Sequence, residues 1–312
     1  MSDTISKNDQ GFLDSHFKLK AKGTNVRTEI IAGITTFVAM AYIIFVNPSI
    51  LKEAGIPVEA AVAATIWSAA LCTIAMGLFA NLPVAMAPGM GLNAFFTFYV
   101  CKTVGLNWET ALGAVFVSGL VFFVLTVTKL RQMIIDAVPM SLKSATVVGI
   151  GMFIAFVGLQ SSNLIVESPA TKITLGTFSD PKVDLALLGV LIIGALLALK
   201  IRAAMLIGIV TVTVIGMIFG VTKAPEGISD VVSFSFPGMG ETFLKMDLVG
   251  AFHYGLISII FTFTIVELFD NIGTLIGVTK AAGLVDKDGK IENCDRALMT
   301  DSYYQQPWVP VL

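Results

Sequence analysis

Apolar residues run through this chain in eight long blocks separated by short polar punctuation. The uncharged or nearly uncharged stretches are 30–51, 60–80, 84–101, 110–128, 144–166, 185–199, 203–222 and 248–279. Most reach the roughly 17–25 residues that a helix needs to cross the hydrocarbon core of a bilayer, so each is expected to be a membrane-spanning helix. The block 185–199 is short and leans on Lys200 reaching to the interface from its end. Polar punctuation sets the boundaries. Asn47-Pro48 is expected to stop the first span, and Asn81-Leu82-Pro83 to make a tight turn before the third. Arg131 to Asp136 reads as a short interfacial helix, with Pro139 opening the fifth span. The longest loops are 160–183 and 223–247, and Asp288-Gly289 marks a turn. The segment around that turn has too few acids at the required positions for a calcium loop.

Two blocks break the pattern from within. Residues 60–101 hold no Asp, Glu, Lys or Arg, yet their middle reads Ala87-Pro88-Gly89-Met90-Gly91-Leu92-Asn93-Ala94-Phe95-Phe96. Backbone in lipid must satisfy its own hydrogen bonds, so irregular chain survives there only where it lines a protected cavity. A Gly/Pro-interrupted span is the sequence pointer to a transporter binding site. Asn93 then falls at the N-terminus of a half-helix, where free N–H groups and an amide can hold a planar ligand's carbonyl oxygens or ring nitrogens. Gly89 and Gly91 allow the backbone to come close, and Phe95, Phe96 and Phe98 could stack on a ring.

The eighth block carries Glu267, Asp270, Asn271 and Thr274 at i, i+3, i+4 and i+7, one face of a helix, opposite Leu268, Ile272, Leu275 and Ile276. A carboxylate at the centre of a span costs at least ~2.5–3.5 kcal/mol by insertion scales. Two on one face repel, so at least one is expected to be able to hold a proton, as proton coupling requires. His253, near the start of this span, reads as structural.

Composition agrees with the blocks. Of 312 residues 55% are hydrophobic and 13% charged, with a mean hydropathy of +0.85; soluble domains carry ~25% charged residues. The net charge of −2 is uninformative, but its distribution is not. With the N-terminus in the cytoplasm, fourteen Lys and Arg lie in inside segments and six in outside ones, which favours eight spans with both flanks inside. Three cysteines, Cys72, Cys101 and Cys294, are too few and scattered for a disulfide framework. The first 29 residues are polar and basic, and the first apolar block is too long for a cleaved signal. A membrane enzyme finds no support: there is no HExxH, no His or Cys cluster and no nucleophile–base pair in the spans. An acidic stripe beside a broken helix fits a bound solute better than a continuous pore. No metal, cofactor or nucleic-acid partner is expected.

In this order, four stretches carry a family resemblance: Val26-Arg27-Thr28-Glu29-Ile30-Ile31-Ala32-Gly33-Ile34-Thr35-Thr36-Phe37; Ala80-Asn81-Leu82-Pro83-Val84-Ala85-Met86 running on through Phe96; Gly149-Ile150-Gly151-Met152-Phe153-Ile154-Ala155-Phe156; and Leu268-Phe269-Asp270-Asn271-Ile272-Gly273-Thr274-Leu275. The chain resembles the azaguanine-type purine permeases, nucleobase–cation symporters that carry adenine, guanine and hypoxanthine. The resemblance implies an all-α polytopic membrane protein of two inverted seven-helix repeats, of which this chain would hold the first and the eighth helix that starts the second. Gly33-Ile34-Thr35-Thr36-Phe37 and Gly255-Leu256-Ile257-Ser258-Ile259 are a faint internal echo of that symmetry.

The organisation it implies is a cytoplasmic segment 1–29, core helices 1–4 over 30–128, gate helices 5–7 over 129–222, an outer loop with core helix 8 over 223–280, and a cytoplasmic loop with an aberrant end over 281–312. Asn93, with Gly91, Ala94 and Phe95, would contact the purine; Asp270 would hold a ring N–H and take part in proton coupling with Glu267; Thr274 and Thr36 would line the site. The expected function is proton-coupled purine import across the cell membrane (the inner membrane in a Gram-negative cell), with a homodimer left open. After Met299-Thr300-Asp301-Ser302 the family continues into a ninth span and a tenth with a Glu-Ser…Gly-Gly-Arg-Thr-Gly signature. Here the sequence reads Tyr303-Tyr304-Gln305-Gln306-Pro307-Trp308-Val309-Pro310-Val311-Leu312. The alternative expectation is therefore an inactive, truncated permease lacking the tenth-helix half of the site.

Overall fold

The computed structural model describes residues 12–20, 22–128, 130, 133–134, 139–201, 203–224, 239–253, 257–281 and 300. The expectations for the turn at Asp288-Gly289, for Cys294, for the tail from Tyr303, for Gly255-Leu256 and for most of Arg131–Asp136 lie outside these residues, as does the side chain of His253.

A short helix, α1 (Phe12–Phe17), precedes α2 (Val26–Met40), which Asn25 caps by accepting from Thr28 N. Ala41 and Tyr42 interrupt the helix before α3 (Ile43–Lys52). The sequence pattern puts the end of the first span at Asn47-Pro48; instead α3 runs through Pro48 to Lys52. Proline lacks the N–H that would reach back one turn, but membrane helices tolerate it where neighbours and side chains satisfy the freed groups. α4 (Val58–Ala75) continues as a π-helical turn, Met76–Ala80, that ends at Asn81 in the left-handed region, φ 53°. The helix ends at Asn81 as expected, but the chain leaves it as an extended segment, without a hydrogen-bonded turn over Asn81-Leu82-Pro83.

Residues 81–89 are non-helical, and α5 (Met90–Ala94) passes into a second π-helical stretch, Phe95–Thr103. At ~1.5 Å per residue the helical part covers only about 21 Å, short of the ~30 Å hydrocarbon core. The segment before it supplies the remaining length without helical hydrogen bonds. Its backbone is met from the side: Thr73 Oγ1 accepts from Met86 N at 2.9 Å and donates to the Met86 carbonyl at 3.2 Å.

α6 (Trp108–Val127) is followed by α7 (Met140–Ser161), which Pro139 precedes as expected. The loop after α7 holds an antiparallel hairpin, β1 (Ile165–Ser168) with β2 (Lys172–Leu175), pairing Ile165 with Leu175. Nothing in the reading of an all-helical chain anticipates it. α8 (Pro181–Ala198) and α9 (Ala204–Ile218) form an antiparallel pair, with Gly208 so close to Ile193 that an added Cβ would lie 2.2 Å from its Cγ1. Small residues at helix crossings allow such approach. Two short helices, α10 (Met239–Thr242) and α11 (Leu248–His253), lead to α12 (Ile257–Ala281).

Four described segments are long and apolar enough to cross a membrane: Val26–Lys52, Val58–Ala80, Trp108–Val127 and Pro181–Ala198. α2 has no buried residue, and Ile30, Ile31, Ile34 and Phe37 are all more than half exposed. Such apolar faces suit contact with acyl chains. The packed centre lies elsewhere. Ile56, Ala61, Phe96, Val100, Ala111 and Phe263 form one cluster that joins α4, the π-helical stretch, α6 and α12. Phe122, Leu268 and Phe269 form a second cluster between α6 and α12.

Candidate functional site

The first core cluster walls one end of a cavity of about 110 Å³ between α3, α4, α5, α6 and α12. α4 contributes Ala60, Ala61, Ala64, Thr65 and Ser68, and α6 contributes Trp108, Leu112, Val115 and Ser118. These positions follow the i, i+3/i+4 spacing of one helix face. Along α6 they span about 15 Å, so the cavity is a slot running from Trp108 to Ser118.

Its polar lining is Asn47, Thr65, Ser68, Asn93, Ser118, Thr242 and Glu267. Asn93 enters from the first turn of α5, where its backbone N–H donates to Gly89 O at 3.1 Å. Its side-chain Nδ2 donates to Asn47 Oδ1. Asn47 is 2% exposed and donates from Nδ2 to Thr65 Oγ1 at 2.8 Å, and Thr65 in turn donates to Ala61 O at 2.6 Å. Glu267 reaches the cavity from α12, is 3% exposed and accepts from Asn271 Nδ2 at 2.9 Å. Phe96, Trp108 and Phe263 give the slot flat aromatic walls.

Asp270 sits one turn further along α12, half-buried, against the break itself. A Cβ built on Gly89 would lie 3.2 Å from Asp270 Oδ2. Gly89 has φ −68°, which any residue adopts, so what it provides is space for the carboxylate rather than backbone freedom.

The candidates named from sequence separate into three groups. Asn93 and Glu267 line the slot, and Asp270 touches its broken-helix wall. Gly91 and Ala94 are buried behind that wall, and Phe95 stacks on Tyr99 with ring centroids 5.0 Å apart and meets Phe263 edge-on. Thr36 and Thr274 stand apart. Thr36 is exposed, donates to Ala32 O at 2.9 Å and lines a separate groove between α2 and α4. Thr274 is exposed. Of the other phenylalanines, Phe96 is in the slot, while Phe98 packs edge-on against Phe153 under Lys102.

Sequence reasoning misses Asn47, Thr65, Ser68, Ser118 and Trp108. A signal exists for Asn47: an amide beside a proline inside an apolar block is as costly as the one at Asn93, yet the pair reads first as a helix stop. Thr65 and Ser68 are small polar residues one turn apart in an otherwise apolar helix, and together with Ser118 they fall on the slot. Among the described residues no group of three or more His, Cys, Asp or Glu could hold a metal ion.

The Permease family profile matches residues 27–304. The chain belongs to this family. It is 47% identical over 292 residues to a putative permease of Methanocaldococcus jannaschii, covering 93% of this chain and 66% of that one. It is 43% identical over 305 residues to the adenine permease AdeP of Escherichia coli, covering 96% and 66%. It is 39% identical over 292 residues to the guanine/hypoxanthine permease PbuO of Bacillus subtilis, covering 92% and 66%. The chain thus spans just under two thirds of the length of these curated relatives. Family and apolar spans together make it a multi-pass membrane protein of a family of transporters, not of enzymes.

Proposed function

We propose that this permease carries purine nucleobases across the cell membrane by proton symport, with the slot between α3, α4, α5, α6 and α12 as part of the substrate site. The observation that carries the reading is the meeting of Asn93 and Glu267 in one aromatic-walled cavity, with Asp270 at the helix break beside them. A flat heterocycle fits flat walls, and its N–H and ring-nitrogen edge suits an amide and a carboxyl group. A cavity in this measure needs ~10–15 Å³ per water, so the slot has room for a small ring system. Asp270 holds a ring N–H and exchanges the proton, with Glu267 as the second proton site. The named substrates of the relatives, adenine for AdeP and guanine or hypoxanthine for PbuO, support the substrate class.

Orientation follows the cation asymmetry. Lys22 Nζ donates to Asn81 O at 3.1 Å and Asn81 Nδ2 to His16 O at 3.4 Å, which ties α1 to the residue that ends the helix of α4. That end is proposed to be cytoplasmic. A single cysteine placed at Lys22 should react with an impermeant maleimide only from the inside.

The test of function is uptake of radiolabelled adenine, guanine and hypoxanthine by cells that lack their own purine permeases. The 312-residue chain is expressed beside a version extended with the remaining third of a relative. Purine uptake that an imposed proton gradient drives supports the proposal, and no purine uptake by the extended version overturns it. A second reading rests on the relatives' greater length: these residues alone form an incomplete site. Uptake by the extended version with none by the chain alone selects it.

A further inference from the structure

We infer that Asn47 and Thr65 are positioning residues that fix which face of the Asn93 amide is presented to the slot, and so set the substrate edge that it recognises. The inference deepens the proposed purine site and rests on it for the ligand, but the hydrogen-bond chain itself does not.

The two ends of an asparagine amide are nearly the same shape, so their assignment has to come from the partners. Here the chain of partners ends on a group without that freedom. The carbonyl of Ala61 can only accept. Thr65 Oγ1 lies 2.6 Å from it, a separation that requires the hydroxyl proton between them. With its one proton committed, Thr65 can only accept from its other neighbour. The Asn47 atom 2.8 Å away must therefore be Nδ2. That leaves Asn47 Oδ1 facing Asn93, and an oxygen there must accept from Asn93 Nδ2. Each assignment follows from the one before.

Burial keeps the chain in place. Thr65 and Asn47 are each 2% exposed, so water is poorly placed to substitute for either partner. Reversing Asn93 would set two carbonyl oxygens against each other at its junction with Asn47. Asn93 is thus left with its Oδ1 and its second N–H available to the slot it lines. These are one acceptor and one donor. The complementary ligand edge carries one donor beside one acceptor; the amide edge of an oxopurine and the amidine edge of an aminopurine carry them in opposite order, so inverting the Asn93 amide exchanges which of the two fits. A ligand edge with two donors or two acceptors is disfavoured at this position.

Thr65→Val and Thr65→Ser separate the direction of the chain from its packing. Valine is close to isosteric and removes the anchor, which frees Asn47 to invert; serine keeps the hydroxyl. The first readout needs no ligand: side-chain amide resonances of the purified protein labelled with ¹⁵N-asparagine, assigned with Asn47→Ala and Asn93→Ala. The Asn93 NH₂ pair should shift in Thr65→Val and stay in place in Thr65→Ser. An Asn93 resonance unmoved by Thr65→Val overturns the inference, whatever the transport result. The second readout is uptake by the extended version described above. Thr65→Val should change the ratio between oxopurine and aminopurine uptake by about tenfold, whereas a merely structural role would lower both together and leave the ratio unchanged. If the resonance moves as expected but no variant and no parent takes up purines, the positioning chain stands and the purine reading fails.

Discussion

Asp270 Oδ2 lies over Gly89, so close that a Cβ added to the glycine would approach it to 3.2 Å. The contact joins the broken third span to the acidic face of the eighth. The methyl group introduced by Gly89→Ala would be tighter than an ordinary van der Waals contact, and either the carboxyl or the break would have to move by a few tenths of an ångström. Alanine costs nothing in backbone conformation here, because φ is −68°. We expect Gly89→Ala to leave the amount of folded protein in the membrane unchanged and to lower purine uptake by roughly tenfold, as slight misplacement of binding groups commonly does. Wild-type uptake would show that the spacing between Gly89 and Asp270 does not matter.

The two acids should separate in function. Asp270→Asn removes the carboxyl at the break and is expected to reduce purine uptake strongly, as is Asn93→Ala. Glu267→Gln is the subtler change. The glutamine carbonyl can still accept from Asn271 Nδ2, now at 2.9 Å, so the local geometry survives while the ionisable group is lost. Purine binding should persist in Glu267→Gln, but uptake should no longer respond to an imposed proton gradient. The check is uptake into vesicles at fixed interior pH and varied exterior pH. An unchanged pH response would remove Glu267 from proton coupling.

The parts of this arrangement legible in the sequence are those that break a rule. Pro88-Gly89 in an uncharged block and two acids in an apolar one are expensive in lipid, and both fall at the slot. The positions that are not legible either break no rule or break one that a neighbour hides. Ser68 and Ser118 are common in membrane helices, and only the three-dimensional crossing of α4 and α6 puts them on one cavity. Asn47 is masked by its neighbour Pro48, a strong helix-stop signal, yet the helix continues. Thr36 enters the candidate site by resemblance alone. No local pattern could show that Thr65 separates its groove from the slot, which it does by lining both. The β1–β2 hairpin is short and largely exposed, and Ile165-Val166-Glu167-Ser168 has no apolar–polar alternation that would set it apart from a loop.

Asp180 gives a pH test outside the spans. Its carboxylate caps α8 by accepting from Lys182 N at 3.0 Å, and it accepts from Asn163 Nδ2 at 3.3 Å, which ties the end of α7 to the start of α8. The backbone N–H of Lys182 first, and then the Asn163 amide, hold its carboxyl below the usual aspartate range. A depressed acid contributes order that is fully present above its unfolded value and is lost as pH falls through the folded one. The junction should therefore hold at neutral pH and loosen only in acid. The ¹³C carboxyl shift of Asp180 should titrate below that of a free aspartate, and Asn163→Ala should move the midpoint back up. A midpoint that Asn163→Ala leaves unchanged would show that the amide does not stabilise the charge.

Gly113 tests how α6 holds the segment before α12. Asp247 N donates to Glu109 O at 3.0 Å, and Gly250 N donates to Asp247 Oδ1 at 2.8 Å, so the start of α11 is strapped across the first turns of α6. A Cβ on Gly113 would lie 2.4 Å from Asp247 O and 3.2 Å from Ala251 Cβ. Two effects oppose each other in Gly113→Ala. Helix propensity favours alanine by ~0.5–1 kcal/mol, while forcing a methyl into a filled contact costs typically ~1–3 kcal/mol. The backbone carbonyl it would meet cannot rotate out of the way, so the steric cost should win, and the protein should melt earlier in detergent. Gly158→Ala is the matched control: the same propensity gain applies, and a Cβ there meets nothing within 4 Å. It should be neutral or slightly stabilising. Equal melting temperatures for the two variants would mean that α11 is not held against α6 as these distances require.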